Sequence, residues 1–366
     1  MIKSFDEVFE DVTKLGVKIK TDEYHPIGKY QIIDQGQEAV AGYSDLEDGV
    51  FENVPAIVFG DHTRIVKYVD QPFFLGADGV KVLRSRFKDA NYRYLYYALK
   101  SVKIPNTGYN RHFKWLKEAK IYYPNSEEQS KIVLILDEIS SVIEHRQRQL
   151  QKLDELVKAR FIELFGDCVL NSKGWKTKRL GDIAEVGSSK RVFVEDLKES
   201  GIPFYRGTEI GALAEGKTVT PELFISKEHY AELCIATGAP NIGDLLMPSI
   251  CPDGRIWVVN TEKPFYFKDG RVLWVHAIDD SYNPVFLLYT LKDRIMSDYS
   301  SIASGTTFAE LKIFALKECH VFDVPLELQN QFAAFVNQTD KSKVAVQKAL
   351  DEAQLLFDSL MQKYFG

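Results

Sequence analysis

The chain has 366 residues, enough for two domains or one large one, and its 45% hydrophobic and 27% charged residues are ordinary for a soluble globular protein. No apolar run reaches the roughly 18 residues of a membrane span, and the opening Met1–Glu7 lacks the basic-then-apolar pattern of a signal peptide, so a cytoplasmic protein is expected. A net charge of −6 argues against a simple basic nucleic-acid binder, yet residues 1–59 carry −7 and residues 60–125 carry +8, so a local basic face is available.

In chain order, Ser4 and Glu7 form a capping-box pattern that predicts a short helix through Val8, Phe9, Val12 and Leu15. Short β-like runs broken by Gly and Pro follow, such as Ala56-Ile57-Val58-Phe59. The close-set Tyr92, Tyr94, Tyr96 and Tyr97 read as a core helix. Ser126-Glu127-Glu128-Gln129 is a second capping-box pattern. It opens a long helix that should stop before Gly166. The second half begins with another mixed region. Gly211–Thr218 fits the phosphate-loop pattern, but Pro221 follows at once where a long helix is required, so a lysine-bearing surface loop is the better account. Arg255–Val259 is β-like. Phe74–Gly79 and Asn283-Pro284-Val285-Phe286 faintly match the two signatures of DNA aminomethyltransferases, but they fall at unrelated places, so methyl transfer within the chain is rejected. Pro325 opens a second long helix, which Gly366 closes.

The two halves repeat. At a shift of 200, Leu116-Lys117-Glu118 recurs as Leu316-Lys317-Glu318, Gln129 as Gln329 and Phe165-Gly166 as Phe365-Gly366. Nearer the start the shift is 191 to 192, matching Arg64 to Arg255, Asp78-Gly79 to Asp269-Gly270, and Leu95, Tyr97, Leu99 and Lys100 to Leu287, Tyr289, Leu291 and Lys292. Both long helices carry apolar residues at alternating steps of four and three. In the first they are Ile132, Leu136, Ile139, Ile143, Leu150, Leu153 and Val157; in the second, Phe332, Val336, Val346, Leu350, Phe357 and Leu360. This is a coiled-coil seam. Arg146 and Arg160 break the first, Thr339 and Lys343 the second, so the two helices are expected to pack on each other. At about 1.5 Å per residue, roughly 40 residues span about 60 Å.

The expected fold is therefore α+β. Two mixed α/β domains are separated by two long antiparallel coiled-coil helices in a pseudo-twofold repeat, with bounds 1–125, 126–166 for the central helix, 167–325, and 326–366 for the C-terminal helix. Cys168, Cys234, Cys251 and Cys319 form no C-x-x-C pair, and the seven histidines show no metal spacing, so no metal site and no catalytic residue is expected. Glu118-Ala119-Lys120 is too short a match to argue for a nuclease.

Two variable domains alternate with two similar helices. Trp175–Ile183 opens the second domain; Ser304–Phe308 leads into Leu311-Lys312 and Leu316-Lys317-Glu318; Gly60–Arg64 is followed by Gly76–Val80. Over essentially the whole chain this resembles the specificity subunit of type I restriction-modification enzymes. In the first half, Pro124–Gln129 and Gly108–Phe113 depart from the pattern seen in the second. The resemblance implies that each mixed domain is a target-recognition domain for half of a split DNA site. The helices would set the gap and dock two methyltransferase subunits, which use S-adenosylmethionine. Restriction subunits using ATP and Mg could join; the chain itself would hold no cofactor. Double-stranded DNA is the implied ligand. Its readers are sought among donor side chains: Arg64, Lys67, Asn110, Arg111, His112 and Lys114 in the first domain, and Lys190, Arg191, Arg206, Thr208, Arg255, Thr306 and Thr307 in the second. Two other classes remain open: a self-contained DNA methyltransferase or nuclease, and a coiled-coil interaction scaffold that never meets DNA.

Overall fold

The computed structural model describes residues 1–76, 79–304 and 309–366. Contacts divide the chain into two units: Met1–Gln149 with Val346–Gly366, and Leu150–Ala345. Both boundaries fall inside the long helices.

The first unit contains β1 (Ile2–Ser4), α1 (Phe5–Val8), β2 (Phe9–Asp11), β3 (Tyr30–Ile33), β4 (Gly42–Ser44), β5 (Ala56–Gly60), β6 (Val66–Val69), β7 (Phe73–Leu75), β8 (Val80–Ser85), α2 (Tyr92–Lys100), α3 (Phe113–Lys117), β9 (Lys120–Tyr122) and the start of α4 (Ser126–Phe165). Its sheets run β2-β8-β5-β6, β4-β3-β7 and β1-β9. The apolar run Ala56–Gly60 is wholly buried, so β5 lies inside its sheet, paired on both sides. Ser4 does form the capping box, its N–H 2.6 Å from the Glu7 carboxylate. The helix nevertheless stops at Val8, because Phe9–Asp11 pairs with Leu83–Ser85 instead; sheet pairing overrides the helical spacing of Val12 and Leu15. The first long helix is capped one residue earlier than the sequence pattern suggests, by Asn125, which accepts from the Glu128 N–H at 2.9 Å. Gly166, at φ +83°, ends it as expected.

The second unit holds β10 (Thr177–Arg179), α5 (Leu180–Ile183), β11 (Glu185–Gly187), β12 (Ile202–Tyr205), α6 (Gly207–Ala214), β13 (Phe224–Ile225), α7 (Lys227–Thr237), β14 (Leu245–Pro248), β15 (Trp257–Val258), β16 (Tyr266–Phe267), β17 (Val272–His276), α8 (Pro284–Ile302), β18 (Ala303–Ser304), β19 (Glu310–Leu311), α9 (Ile313–Lys317), β20 (His320–Phe322) and the start of α10 (Leu326–Phe365). Its sheets run β11-β17-β14-β15, β13-β12-β16 and β10-β20, the same orders as in the first unit, with an added β18-β19 pair. Asn283 is a helix cap, accepting from the Val285 N–H at 2.9 Å, as Asn91 caps α2 through Tyr94 at 3.0 Å; the methyltransferase-like tetrapeptide is thus a helix start. In the phosphate-loop-like segment, Gly211 lies within α6 and no helix begins at Lys217, whose ammonium pairs with Glu215 at 2.5 Å. Strand register equates Arg64 with Gly254, one residue from the sequence match to Arg255, and both have φ +65°.

In the second unit α4 and α10 pack antiparallel. Phe161 and Phe165 meet the Phe332 ring at 5.3 and 5.6 Å, and Lys343 bonds Asp154 at 2.6 Å. Val157 and Val336 are buried in the same core. In the first unit Ile132, Leu136 and Phe357 share the core with Tyr94 and Tyr97 of α2, while Ile139, Ile143 and Leu360 pack against it half-buried. The breaks in the seam are satisfied locally: the Arg160 guanidinium lies 6.0 Å from the Phe335 ring centroid, and the buried Thr339 hydroxyl donates to the Phe335 carbonyl at 2.9 Å. Two glutamines from the repeat play one part. Gln129 and Gln329 are both buried and donate to the Pro124 and Val324 carbonyls at 2.9 and 2.8 Å, tying each long helix to the chain that enters it.

Candidate nucleic-acid interface

In the first unit, the loop after β5 and the loop before α3 are pinned together. The backbone N–H of His112 donates to the Asp61 carbonyl at 2.7 Å, and that of Phe113 to the Asp61 carboxylate at 2.7 Å. The His112 ring is fully buried, so it anchors the loop and offers no surface to a base. Lys67 is also turned inward: it is 8% exposed, and its ammonium is held by the Asp34 carboxylate at 3.2 Å and the Glu38 carbonyl at 2.6 Å. Arg64 is half-buried and reaches the Ile104 carbonyl at 3.4 Å. Asn110, Arg111 and Lys114 are exposed, with the Lys114 ammonium 4.1 Å from the Trp115 ring centroid. Sequence reasoning does not single out Tyr109. It is 86% exposed and stacked on His62, with centroids 4.5 Å apart and planes 6° apart. Its signal was an aromatic standing alone in the polar turn Asn106–Asn110.

In the second unit, Lys190 and Arg191 are exposed after β11. The Lys190 N–H donates to the Tyr266 hydroxyl at 3.1 Å, and Arg191 pairs with Asp269 at 3.1 Å. Arg206 caps α6, pairing with Glu209 and, at 3.0 Å, with Glu222. Thr208 donates to Glu209 at 2.9 Å. Arg255 pairs with Asp253 at 2.8 Å. Burial by itself raises the Glu209 carboxyl, but hydrogen bonds from Arg206 and Thr208 together outweigh it and hold the group at about 2. Arg206, Thr208 and Arg255 come together on one open cleft of about 620 Å³; Lys190 and Arg191 do not line it. Thr306 and Thr307 lie outside the described residues. The sequence reading misses Ser249, Lys268 and Arg271, which line the same cleft. Ser249 follows β14 while Lys268 and Arg271 share the loop between β16 and β17, and only folding gathers them.

Among the described residues no group of acids, histidines and cysteines is arranged to hold a metal, and no helix is long and apolar enough to cross a membrane. Cys168 and Cys251 sit in the core of the second unit, where burial pushes their thiols up to about 12.

The family model of the type I restriction modification DNA specificity domain matches residues 1–155 and 172–353. The chain belongs to this family. A type I restriction enzyme specificity subunit of Methanocaldococcus jannaschii is 26% identical over 275 residues, covering 68% of this chain and 60% of the relative. One from Escherichia coli is 24% identical over 223 residues, covering 56% of this chain and 53% of the relative. The chain thus spans under two thirds of these relatives. The crystal structure of the type I restriction-modification S subunit from M. genitalium matches at a TM-score of 0.61 with 18% identity, covering all of this chain and 96% of that one. The two specificity domain matches fall one on each half of the repeat.

Proposed function

We propose that this specificity-family chain is the DNA-reading, non-catalytic subunit of a type I restriction-modification complex. The observation that carries the reading is the family match on both halves of a chain whose strand orders repeat. Residues 1–125 and 167–325 each read one half of a split site. The helices 126–166 and 326–366, through their apolar seams, set the gap and dock two methyltransferase subunits. Those subunits supply S-adenosylmethionine; restriction subunits, where they join, supply ATP and Mg chemistry. In the first half Arg64, Asn110, Arg111 and Lys114 face the DNA, with Tyr109 beside them. In the second, Lys190, Arg191, Arg206, Thr208, Arg255, Thr306 and Thr307 do so. Acidic and basic segments differ sharply within the chain, which suits a reader whose phosphate contacts are partly supplied by its partners.

The test is a genome-wide map of methylated adenine in the host with and without this gene. Loss of methylation at a split motif of fixed gap is expected. Identical maps overturn the reading, as does S-adenosylmethionine binding by the purified chain alone.

A further inference from the structure

The cleft in the second unit is not a default of the fold. Equivalent backbone hydrogen bonds align the two units position by position. Lys268 N–H donates to the Tyr205 carbonyl as Gly76 N–H donates to Ile33, and Ser249 N–H to Arg271 as Asp61 N–H to Gly79. Arg206, Lys268 and Arg271 therefore stand where the first unit has Asp34, Gly76 and Gly79, and Ser249 stands where it has Asp61. One architecture carries cations in one copy and two acids with two glycines in the other. In the first unit the Asp34 carboxylate is occupied by Lys67.

Four cations line the cleft in the second unit: Arg206, Arg255, Lys268 and Arg271. Lys268 is exposed and makes no ion pair among the described residues. Gly207 and Thr208 open α6 at the same cleft, and the first backbone N–H groups of a helix have no intrahelical partner. An independent observation points to a ligand. Ser249 lines the cleft at 2% exposure, yet its hydroxyl has no hydrogen-bond partner among the described residues. The hydroxyl is thus a free donor on the cleft wall, beside the cations. Arg255–Asp253 and Arg271–Glu310 are surface pairs, worth at most about 1 kcal/mol each, so those two guanidiniums exchange readily for a stronger anion, while Arg206 is also held by the largely buried Glu209 that shares the cleft. Guanidinium forks, a helix start and a hydroxyl donor match the tetrahedral oxygens of a phosphate.

We propose that this cleft clamps a backbone phosphate of bound DNA, so that the second unit holds the phosphodiester chain here, while the equivalent described positions of the first unit carry no cation. The proposal rests on the DNA-reading role. It assigns Ser249, Lys268 and Arg271 a part in affinity and registration, not in choice of base.

The test uses the full chain in two variants, Lys268→Gln/Arg271→Gln and Ser249→Ala, with a random-sequence DNA duplex and, separately, inorganic phosphate. For the double variant, affinity for the duplex should fall roughly tenfold, and the slope of log affinity against log salt should become shallower by about one. Ser249→Ala should weaken binding with an unchanged melting temperature, since no internal hydrogen bond is lost. A duplex slope unchanged in both variants, with normal wild-type binding, overturns the clamp and leaves DNA reading intact. No duplex binding by the wild type, even with methyltransferase subunits present, overturns the DNA-reading role and the clamp with it. Inorganic phosphate protecting the wild type but not the variants, with equal duplex binding by all, assigns the cleft to free phosphate and overturns the DNA source.

Discussion

Arg64 has a left-handed backbone, φ +65°, at the position its sister unit gives to Gly254. An arginine there costs about 1 kcal/mol that glycine does not. Arg64→Gly should therefore hold or raise the melting temperature while weakening DNA binding; a large loss of stability would make Arg64 a structural residue. Glu209 gives a pH test. Its folded value of about 2 lies below the ordinary 4.5 of a carboxyl, so the stability it contributes is present above about 4.5 and lost as pH falls toward 2. Thermal melts of Glu209→Gln should show a shallower acid limb across that window than the wild type; parallel limbs would mean that Glu209 contributes nothing to acid sensitivity. At this scale the sequence was half legible. Donor-rich stretches such as Asn110–Lys114 could be found by composition. Nothing in the one-dimensional pattern says that Lys67 points at Asp34, that His112 is buried, or that Ser249 and Lys268 line one cleft.

The long helices were the most legible elements, because helices packed on a globular core seldom keep a four-three apolar spacing over so many turns. Their burial follows it: Ile132, Leu136, Val157, Phe332, Val336, Val346 and Phe357 are all buried. Strands of two to six residues leave too short a pattern, and the helix expected through Val12 and Leu15 yields to β2 for that reason. Packing between α4 and α10 in the second unit concentrates on aromatic rings. Phe161→Ala and Phe332→Ala should each cost about 3 to 5 kcal/mol in denaturant unfolding. The double variant should cost less than their sum, because the rings touch. Simple additivity would mean that the two rings act independently.

For the whole molecule, the seam makes a prediction about DNA. Adding one heptad to both α4 and α10 keeps the seam in phase and lengthens each by about 10 Å, the rise of about three base pairs. The methylated motif should keep both half-sequences and gain about that much gap; an unchanged gap would show that the helices do not set it. The duplication was readable because short identities such as Leu116-Lys117-Glu118 mark α3 and α9 at one constant offset. The difference in charge between the two copies of the cleft was not, since it depends on strand register. The division of the chain also bears on how it is made. The first unit is closed by Val346–Gly366, whose Phe357, Leu360, Met361 and Phe365 pack on a core built from the first hundred or so residues. A ribosome releases that segment only after the entire second unit has been made. The first unit must wait, incomplete, with the surfaces of Tyr94 and Tyr97 uncovered, while the second can mature. Synthesis order and assembly order are thus reversed, and the half made first is the half that chaperones and proteases meet unfinished.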